Sequence, residues 1–361
     1  MPPSRRHPVA LDAGLASLLE GVAAVAPRTV ALDEAADTLV LGEPLLAPAS
    51  VPATGIALRA GYAVAAADLV GASAYAGVAL NPPPPHVAAG DPMPAGTDCV
   101  LPEDALAHMP GGPAEALEAF PPGHGCRREG SDFVADAIVA RAGERLDPVR
   151  LAIARAAGIR SASVRQPTLG LMPAGETDAC SAALLTALAR RRGAVVTLLP
   201  LGGAAALKAR GLDLLIVLGD PDETRGRVAK AGGRVLADAL ALRPGEDGAL
   251  ARLGRVPCVL APDRLADALA LALAVVFPVL DHLAAAAPLP APASRLTRKV
   301  ASAIGIAEIA LLRSGRAGLE PLAVADLPLS AIATADRWAL IPPDYEGYAP
   351  GDEIGTWGLG Q

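Results

Sequence analysis

Thr168-Leu-Gly-Leu-Met172, Ala194-Val-Val-Thr-Leu-Leu199 and Leu212-Asp-Leu-Leu-Ile-Val-Leu218 are apolar runs of strand length, and the stretch that holds them, Gln166 to about Ala287, decides the fold. The first run breaks at Pro173-Ala-Gly175 and the third ends in Gly219-Asp-Pro-Asp222. Between the first two, Leu184, Leu185, Leu188 and Ala189 recur at i, i+1, i+4 and i+5, the spacing of a helix face. Apolar strands alternating with helices predict a parallel sheet covered on both faces. Ligands of such sheets sit at the carboxyl ends of the strands, and Gly175 and Gly219 stand at two such ends. Further on come Gly232-Gly233, Arg243-Pro-Gly-Glu246, a strand at Pro257-Cys-Val-Leu-Ala261 and a helix from about Arg264 to His282. The apolar run inside that helix, Ala268 to Leu280, is shorter than a bilayer needs, and Pro278 is expected to end it.

A chain of 361 residues has room for roughly two to three domains. Half of it is hydrophobic but only 2% is aromatic, and lysine occurs just at Lys208, Lys230 and Lys299. A net charge of −7 argues against a general nucleic-acid or anionic-membrane binder. Cys99, Cys126, Cys180 and Cys258 are scattered and form no CxxC pair, so reduced thiols are expected and a zinc site is not. Arg5-Arg6 lacks the apolar region of an export signal, because Asp12 and Glu20 interrupt the residues after it. The expectation is a soluble cytoplasmic protein.

Leu11, Leu15, Leu18, Leu19 and Val22 form a helical stripe closed by Pro27, and Thr29 to Asp33 leads toward a second short helix through Val40. Residues 45–123 change texture. Gly61-Tyr-Ala-Val64, Ala76-Gly-Val-Ala-Leu80 and Asp98-Cys-Val-Leu101 are short apolar runs between Pro and Gly, as in a small β-domain. Asn81-Pro-Pro-Pro-Pro85 reads as a stiff, extended connector. A Gly-rich polar segment follows around Arg127-Arg-Glu-Gly-Ser-Asp132, then a helix from Pro148 to Gly158. After the linker Pro288-Leu-Pro-Ala-Pro292, short strands at Ile309–Arg313, Trp338–Ile341 and Asp352–Ile354 suggest a C-terminal β-domain.

The order of these pieces, and a colinear set of strings from about Val30 to Leu359, resembles the molybdopterin molybdenumtransferase family of MoeA and the gephyrin E-domain. Val51-Pro-Ala-Thr-Gly-Ile-Ala-Leu-Arg-Ala-Gly-Tyr-Ala-Val64 is similar to that family's V-P-P-F-D-N-S-A-M-D-G-Y-A-V, without a gap. Gly90-Asp-Pro-Met-Pro-Ala-Gly-Thr-Asp-Cys-Val-Leu101 resembles G-x-P-x-P-x-G-A-D-A-V-V, and Arg127 to Asp132 resembles R-R-x-G-E-D. Asp178-Ala-Cys-Ser181 looks like D-S-N-S, Gly219-Asp-Pro-Asp222 like G-D-Y-D, and Arg243-Pro-Gly-Glu246 like K-P-G-K. Leu329 to Trp338 is similar to L-S-S-L-A-x-A-N-G-L.

The departures fall on the chemistry. Ala60 stands where D-G-Y-A-V has its acid, Ala89 where the family has a threonine, and Thr177 closes Ala174-Gly-Glu-Thr177 in place of the last carboxylate of T-G-D-E. Ala261-Pro-Asp-Arg-Leu265 loses a glycine of L-P-G-N-P, and Glu246 reverses the charge of a lysine. The loop between T-G-D-E and D-S-N-S and the G-G-V-S turn before Gly219 are missing. Inserting molybdate into a nucleotide-linked pterin gathers negative charge, which needs cations, metal-holding carboxylates and backbone N–H groups.

The resemblance implies an α/β multidomain fold. A central α/β molybdopterin-binding-like domain with a mainly parallel sheet (166–287) is flanked by a discontinuous helical dimerisation domain (7–44 and 124–165), a small β-domain (45–123) and a C-terminal β-domain (288–361). It implies Asp132 and Glu176 as candidate catalytic carboxylates. Gly175, Asp178, Ser181, Gly219, Asp220, Asp222, Arg243, Gly245 and Ser330 are candidate ligand contacts. The ligand implied is molybdopterin or adenylylated molybdopterin, with Mg2+ and molybdate as the other groups of the reaction. It implies a homodimer, with Leu11, Leu15, Leu18 and Val22 available for contact, and a molybdenum-cofactor assembly or molybdoenzyme partner. Each site residue also has an ordinary reading. Asp132 and His124 suit a solvated loop, Asp220 and Asp222 a turn or helix cap, Ser181 a cap, Trp338 the core, and the leucine stripe burial within one subunit. Three functions stand side by side: a MoeA-like binder with eroded insertion, a working insertase with substitute residues such as Glu176, and a scaffold that binds no pterin.

Overall fold

The computed structural model describes residues 7–33, 38–108, 113–173, 179–200 and 211–359. The chain is a strand-rich, multidomain α/β protein in two compact units, one of Met1–Glu43, Ala142–Asp147 and Ser163–Gln361, the other of Pro44–Arg141 and Pro148–Ala162.

The first unit begins with helix α1 (Leu11–Leu19) and is built on β1 (Thr168–Met172), α2 (Ala179–Arg191), β2 (Val195–Leu198), β3 (Leu214–Leu218), α3 (Pro221–Lys230), β4 (Arg234–Ala237), β5 (Leu242–Arg243), β6 (Ala249–Leu253), β7 (Val256–Ala261) and the long helix α4 (Leu265–Ala284). Six strands form one sheet in the order β2-β1-β3-β7-β6-β4. The first four run parallel; β6 and β4 add an antiparallel edge. Every residue of β3 is buried, and its side chains divide by the two-residue period of a strand. Leu214, Ile216 and Leu218 join one core with α2 and α4; Leu215 and Val217 join a second core with Val228 of α3 and Ala231 just after it. That two-sided burial is why the sequence shows continuous apolar runs here.

The antiparallel edge is an addition to the sequence reading. Its signal was the Gly254-Arg255 turn, where Gly254 has φ +63° and Leu253 pairs with Val256. Helix α1 lies against β4 and β6. Leu11 and Leu18 are buried there, and an alanine methyl at Gly14 would already stand 3.1 Å from Leu250. Arg252 of β6 donates to the Leu18 carbonyl at 2.8 Å, holding an open carbonyl at the end of α1. Leu11 and Leu18 of the leucine stripe are therefore buried inside the chain, as the rival reading had it.

Pro278 does not end the long helix. The chain passes through a π-turn at Ala272–Val276 and resumes as α-helix over Phe277–Ala284, with Pro278 in its opening turn, where a missing N–H is tolerated. Leu265–Ala284 is thereby long and apolar enough to cross a bilayer, the one such helix among the described residues, but 72% of its apolar window is buried inside the protein. Val40 is likewise strand, not helix: Val40–Leu41 pairs with Val164 and Arg165, in a three-stranded sheet that includes Arg28–Ala31. Residues 34–37 lie outside the described ones.

The rest of this unit is a five-stranded sheet of β8 (Ala307–Gly315), β9 (Gly318–Val324), β10 (Arg337–Ile341), β11 (Trp357–Gly358) and β5, with helix α5 (Leu329–Thr334) between β9 and β10. β5 comes from upstream of the proline linker and runs parallel to Ala307 and Glu308. That pairing carries Arg243 from the first sheet's neighbourhood into the second.

The second unit contains small antiparallel sheets. Val78–Leu80 pairs with Ala114–Ala116, and Gly61–Val64 lies between His86–Val87 and Cys99–Leu101. A helix at Pro148–Ala156 completes it.

Candidate functional site

The carboxyl ends of β1, β3 and β7 place the candidate residues of the first unit. Gly175, Glu176 and Asp178, which follow β1 in the sequence, lie outside the described residues, as does Thr177. After β3, Gly219 takes φ +135° and donates its N–H to the Ala261 carbonyl at 3.0 Å. Asp220 then caps α3: its Oδ1 accepts from the N–H groups of Asp222 and Glu223 at 2.9 and 3.0 Å, with Pro221 in the first turn. Asp222 is exposed in that turn and faces Arg225 at 3.8 Å. Ser181 is buried, and its hydroxyl donates to the Asp263 carbonyl at 2.7 Å. It ties α2 to the loop after β7 and does not cap its helix, whereas Asp220 takes the cap role that the sequence offered for it.

Arg243 is the organising charge. It stands at the end of β5, 3.5 Å from Glu246 and 3.5 Å from Glu308. Glu308 comes from β8, is almost wholly buried, and also accepts from the Ala303 N–H at 3.3 Å. Between Arg243 and Glu246 the chain turns at Gly245, whose φ of +108° favours glycine. The Gly245 N–H reaches Asp267, a buried residue in the first turn of α4. Burial pushes the Asp267 carboxyl above its ordinary range; Arg264 and the Gly245 N–H pull it down, and the charges of Asp247 and Glu246 add to the rise. Arg243 thus faces Glu246 and Glu308, and Arg264 faces Asp267, whose carboxyl also lies within the field of Glu246 and Asp247. Sequence reasoning found Arg243, Gly245 and Glu246 but missed Asp267 and Glu308. Asp267 sits two residues after Leu265 in a helix start; Glu308 had no signal beyond being an acid in an apolar strand.

The second unit gathers three of the sequence strings. The Asp132 N–H donates to Val51 O at 2.9 Å, Gly130 N–H to Pro52 O at 3.0 Å, and Met93 N–H to Gly55 O at 2.7 Å. Gly61 takes φ +154°, and a methyl there would stand 2.4 Å from the Leu101 carbonyl oxygen. Gly61 therefore has no room for a side chain, whereas its neighbour Ala60 is exposed. Asp132 is held by Arg127, whose Nη1 donates to both carboxylate oxygens at 3.0 and 2.7 Å. His124 is not a solvated loop residue. Its ring stacks on Phe120 at 4.2 Å and its Nε2 is buried. Ser330 is exposed on α5, its carbonyl accepting from the Thr334 hydroxyl, and among the described residues nothing joins it to the Arg243 cluster. Trp338 is core, 7% exposed, and packs on Trp357. Among the described residues no group of three or more His, Cys, Asp or Glu side chains is placed to hold a metal ion.

Residues 9–158 match the family model of the MoeA N-terminal region (domain I and II). The chain is 29% identical, over 300 residues covering 69% of it and 73% of the relative, to molybdopterin molybdenumtransferase 2 of Mycobacterium tuberculosis. Its fold is similar to the crystal structure of a molybdopterin biosynthesis MoeA protein from Pyrococcus horikoshii OT3, with a TM-score of 0.77 at 19% identity over 97% of this chain and 99% of that one. A molybdenum cofactor biosynthesis protein from Pyrococcus furiosus superposes with a TM-score of 0.62 at 16% identity, over 97% and 99% of the two chains. The family model takes in the three strings of the second unit together with the N-terminal part of the first, and the structural likeness extends over the sheets that carry Arg243. Residues 9–158 carry the MoeA N-terminal region, and the chain as a whole is similar in fold to MoeA proteins.

Proposed function

We propose that this chain is a MoeA-like protein of molybdenum cofactor biosynthesis that binds molybdopterin or adenylylated molybdopterin at the strand-end loops and inserts molybdate slowly or not at all. The observation that carries the second half is the neutralisation of Arg243 by Glu246 and Glu308. A guanidinium between two carboxylates is a poor seat for a further anion, because each approach of phosphate or molybdate also meets Glu246. Asp220, capping α3, and Ser181, bonded to Asp263, have local partners in place of a ligand. What these residues do is orient: Gly245 turns the chain, Asp267 holds its N–H, and Glu308 fixes the direction of Arg243.

The same reading takes the four-domain layout, a homodimer, a cytosolic site of action and a partner in cofactor assembly as parts of the proposal. Reconstitution of a cofactor-free molybdenum enzyme with adenylylated molybdopterin and micromolar molybdate tests the activity. Activation as fast as by a family member carrying the full residue set shows a working insertase and removes the proposal. Calorimetric titration with molybdopterin separates binder from scaffold, since a scaffold gives no heat. Light scattering that returns a monomer mass at micromolar concentration removes the dimer.

A further inference from the structure

The chain carries a net charge of −7, yet residues 295–316 reverse its sign. Arg295, Arg298, Lys299, Arg313 and Arg316 fall there, and the one carboxylate of that stretch, Glu308, is buried beside Arg243. The fold brings the cations together. β8 and β9 form a hairpin closed by Arg316-Ala317, with Gly315 opposite Gly318 and Arg313 opposite Glu320. The segment after the proline linker runs beside β9: Leu296 bridges to Leu319, and the Thr297 N–H donates to the Leu319 carbonyl at 2.9 Å. Gly318 permits that approach, since a methyl there would stand 2.4 Å from the Arg295 carbonyl oxygen. Arg313 lies five residues along β8 from Glu308, about 17 Å of strand, so the hairpin tip is remote from Arg243.

Glu320 is shared. Arg313 donates to one of its carboxylate oxygens and Arg298 to the other, the latter at 2.6 Å. The hydrogen bond and charge of Arg313 hold the Glu320 carboxyl below its ordinary range. One carboxylate between two guanidiniums leaves a positive charge in excess, and each guanidinium has five N–H donors of which few are used here. Both arginine side chains are more than half exposed. Lys299 and Arg316 are exposed too, and among the described residues no carboxylate pairs with either. The acids around the tip already accept from neighbours: Glu353 faces Arg295 at 3.5 Å, Asp336 takes the Ser314 N–H at 2.8 Å, and Asp352 takes the Ala349 N–H at 2.7 Å.

We propose that this hairpin tip is a docking surface for an acidic segment of a partner protein, its carboxylates taken by the outward N–H groups of Arg298, Arg313 and Arg316, with Lys299 at the rim. The guanidinium fork matches a carboxylate in geometry as well as charge. The Glu320 bridge holds two of the forks in place before a partner arrives, which lowers the side-chain ordering that binding costs. The acids at the rim decide the class of partner. An unbroken row of phosphates, as on nucleic acid or an anionic bilayer, runs into Glu353, Asp336 and Asp352; a protein segment places its carboxylates singly and turns its own N–H groups toward those acids.

The full-length protein is titrated into rhodamine-labelled hexaglutamate at low salt and followed by fluorescence anisotropy, with hexaglutamine as the neutral control. The expected result is saturable binding of hexaglutamate alone, weakening as salt is added. Arg316→Gln weakens it about fivefold, the upper worth of one exposed ion pair, and Arg313→Gln with Arg316→Gln at least tenfold, with circular dichroism unchanged. If that double variant unfolds, Lys299→Gln with Arg316→Gln, which leaves both Glu320 pairs intact, takes its place. Lys230→Gln, an exposed cation of α3, leaves the affinity as it was. Absence of saturation with hexaglutamate, or a loss in Lys230→Gln equal to that in Arg316→Gln, overturns the surface. Tighter binding of phosphatidylserine vesicles or of a single-stranded oligonucleotide, abolished in the double variant, overturns the choice of partner.

Discussion

Replacing Glu246 should convert Arg243 from a neutralised side chain into an anion seat. The structure sets the scale. Arg243 and Glu246 stand 3.5 Å apart, and their side chains are 44% and 60% exposed. A unit pair at that distance is worth about 1 kcal/mol in water and about 5 kcal/mol at an effective dielectric of 20. Exposure of both groups places the working value near the lower figure. Glu246→Gln removes one repelling charge and one competitor for the guanidinium, so pyrophosphate affinity should rise about fivefold, or about 1 kcal/mol. Glu246→Lys should raise it by about 2 kcal/mol, close to thirtyfold. Glu308 remains in place in both variants and keeps Arg243 directed from its buried side. Isothermal calorimetry with pyrophosphate measures these differences, and raising the salt should shrink them, since the groups are exposed. A double variant, Glu246→Gln with Arg243→Ala, isolates the pair. The reasoning fails if Glu246→Gln leaves affinity unchanged, or if the gain persists without Arg243.

Other parts of the chain give three more expected outcomes. Asp281→Ala leaves Arg145 and Arg192, both largely buried, without their shared carboxylate; a loss of about 3–5 kcal/mol is expected in urea unfolding followed by tryptophan emission, and a loss below about 1 kcal/mol contradicts it. Burial pushes the Cys258 thiol up to about 12 and Cys99 to about 11, while Cys180 is exposed; a thiol reagent at mildly alkaline pH should label Cys180 in the native protein and the other three only after unfolding. Asp267 has a raised pKa, so the folded state holds its proton more tightly than the unfolded chain. Its contribution to stability is therefore highest below the ordinary aspartate value of 3.8 and falls as pH rises through the folded pKa. Asp267→Asn should flatten that part of the stability profile and raise the melting temperature at neutral pH; an unchanged profile refutes the assignment.

The legibility of this chain divides along a physical line. β1 was readable to the residue, and β3 nearly so, because a strand buried on both faces must be apolar throughout, and few other structures produce such runs between helices. α1 was readable as a helix but not in its destination, since a leucine stripe looks the same whether it meets another subunit or the edge of its own sheet; Arg252 and Gly14 settle that only in three dimensions. Pro278 misled because local rules count its lost N–H as a terminator, whereas the preceding π-turn places the residue in a new opening turn. In the candidate site, sequence strings located Arg243 and Glu246, three residues apart, but could not find Glu308, which joins them from a strand 65 positions after Arg243. A charge reversal seen in a motif could be compensated by any distant cation. The fold decides it: the second group that reaches Arg243 is another carboxylate, so the reversal is reinforced. The charge state of this site is thus a property of the pairing between β5 and β8, and it is there that any account of anion binding by this chain has to begin.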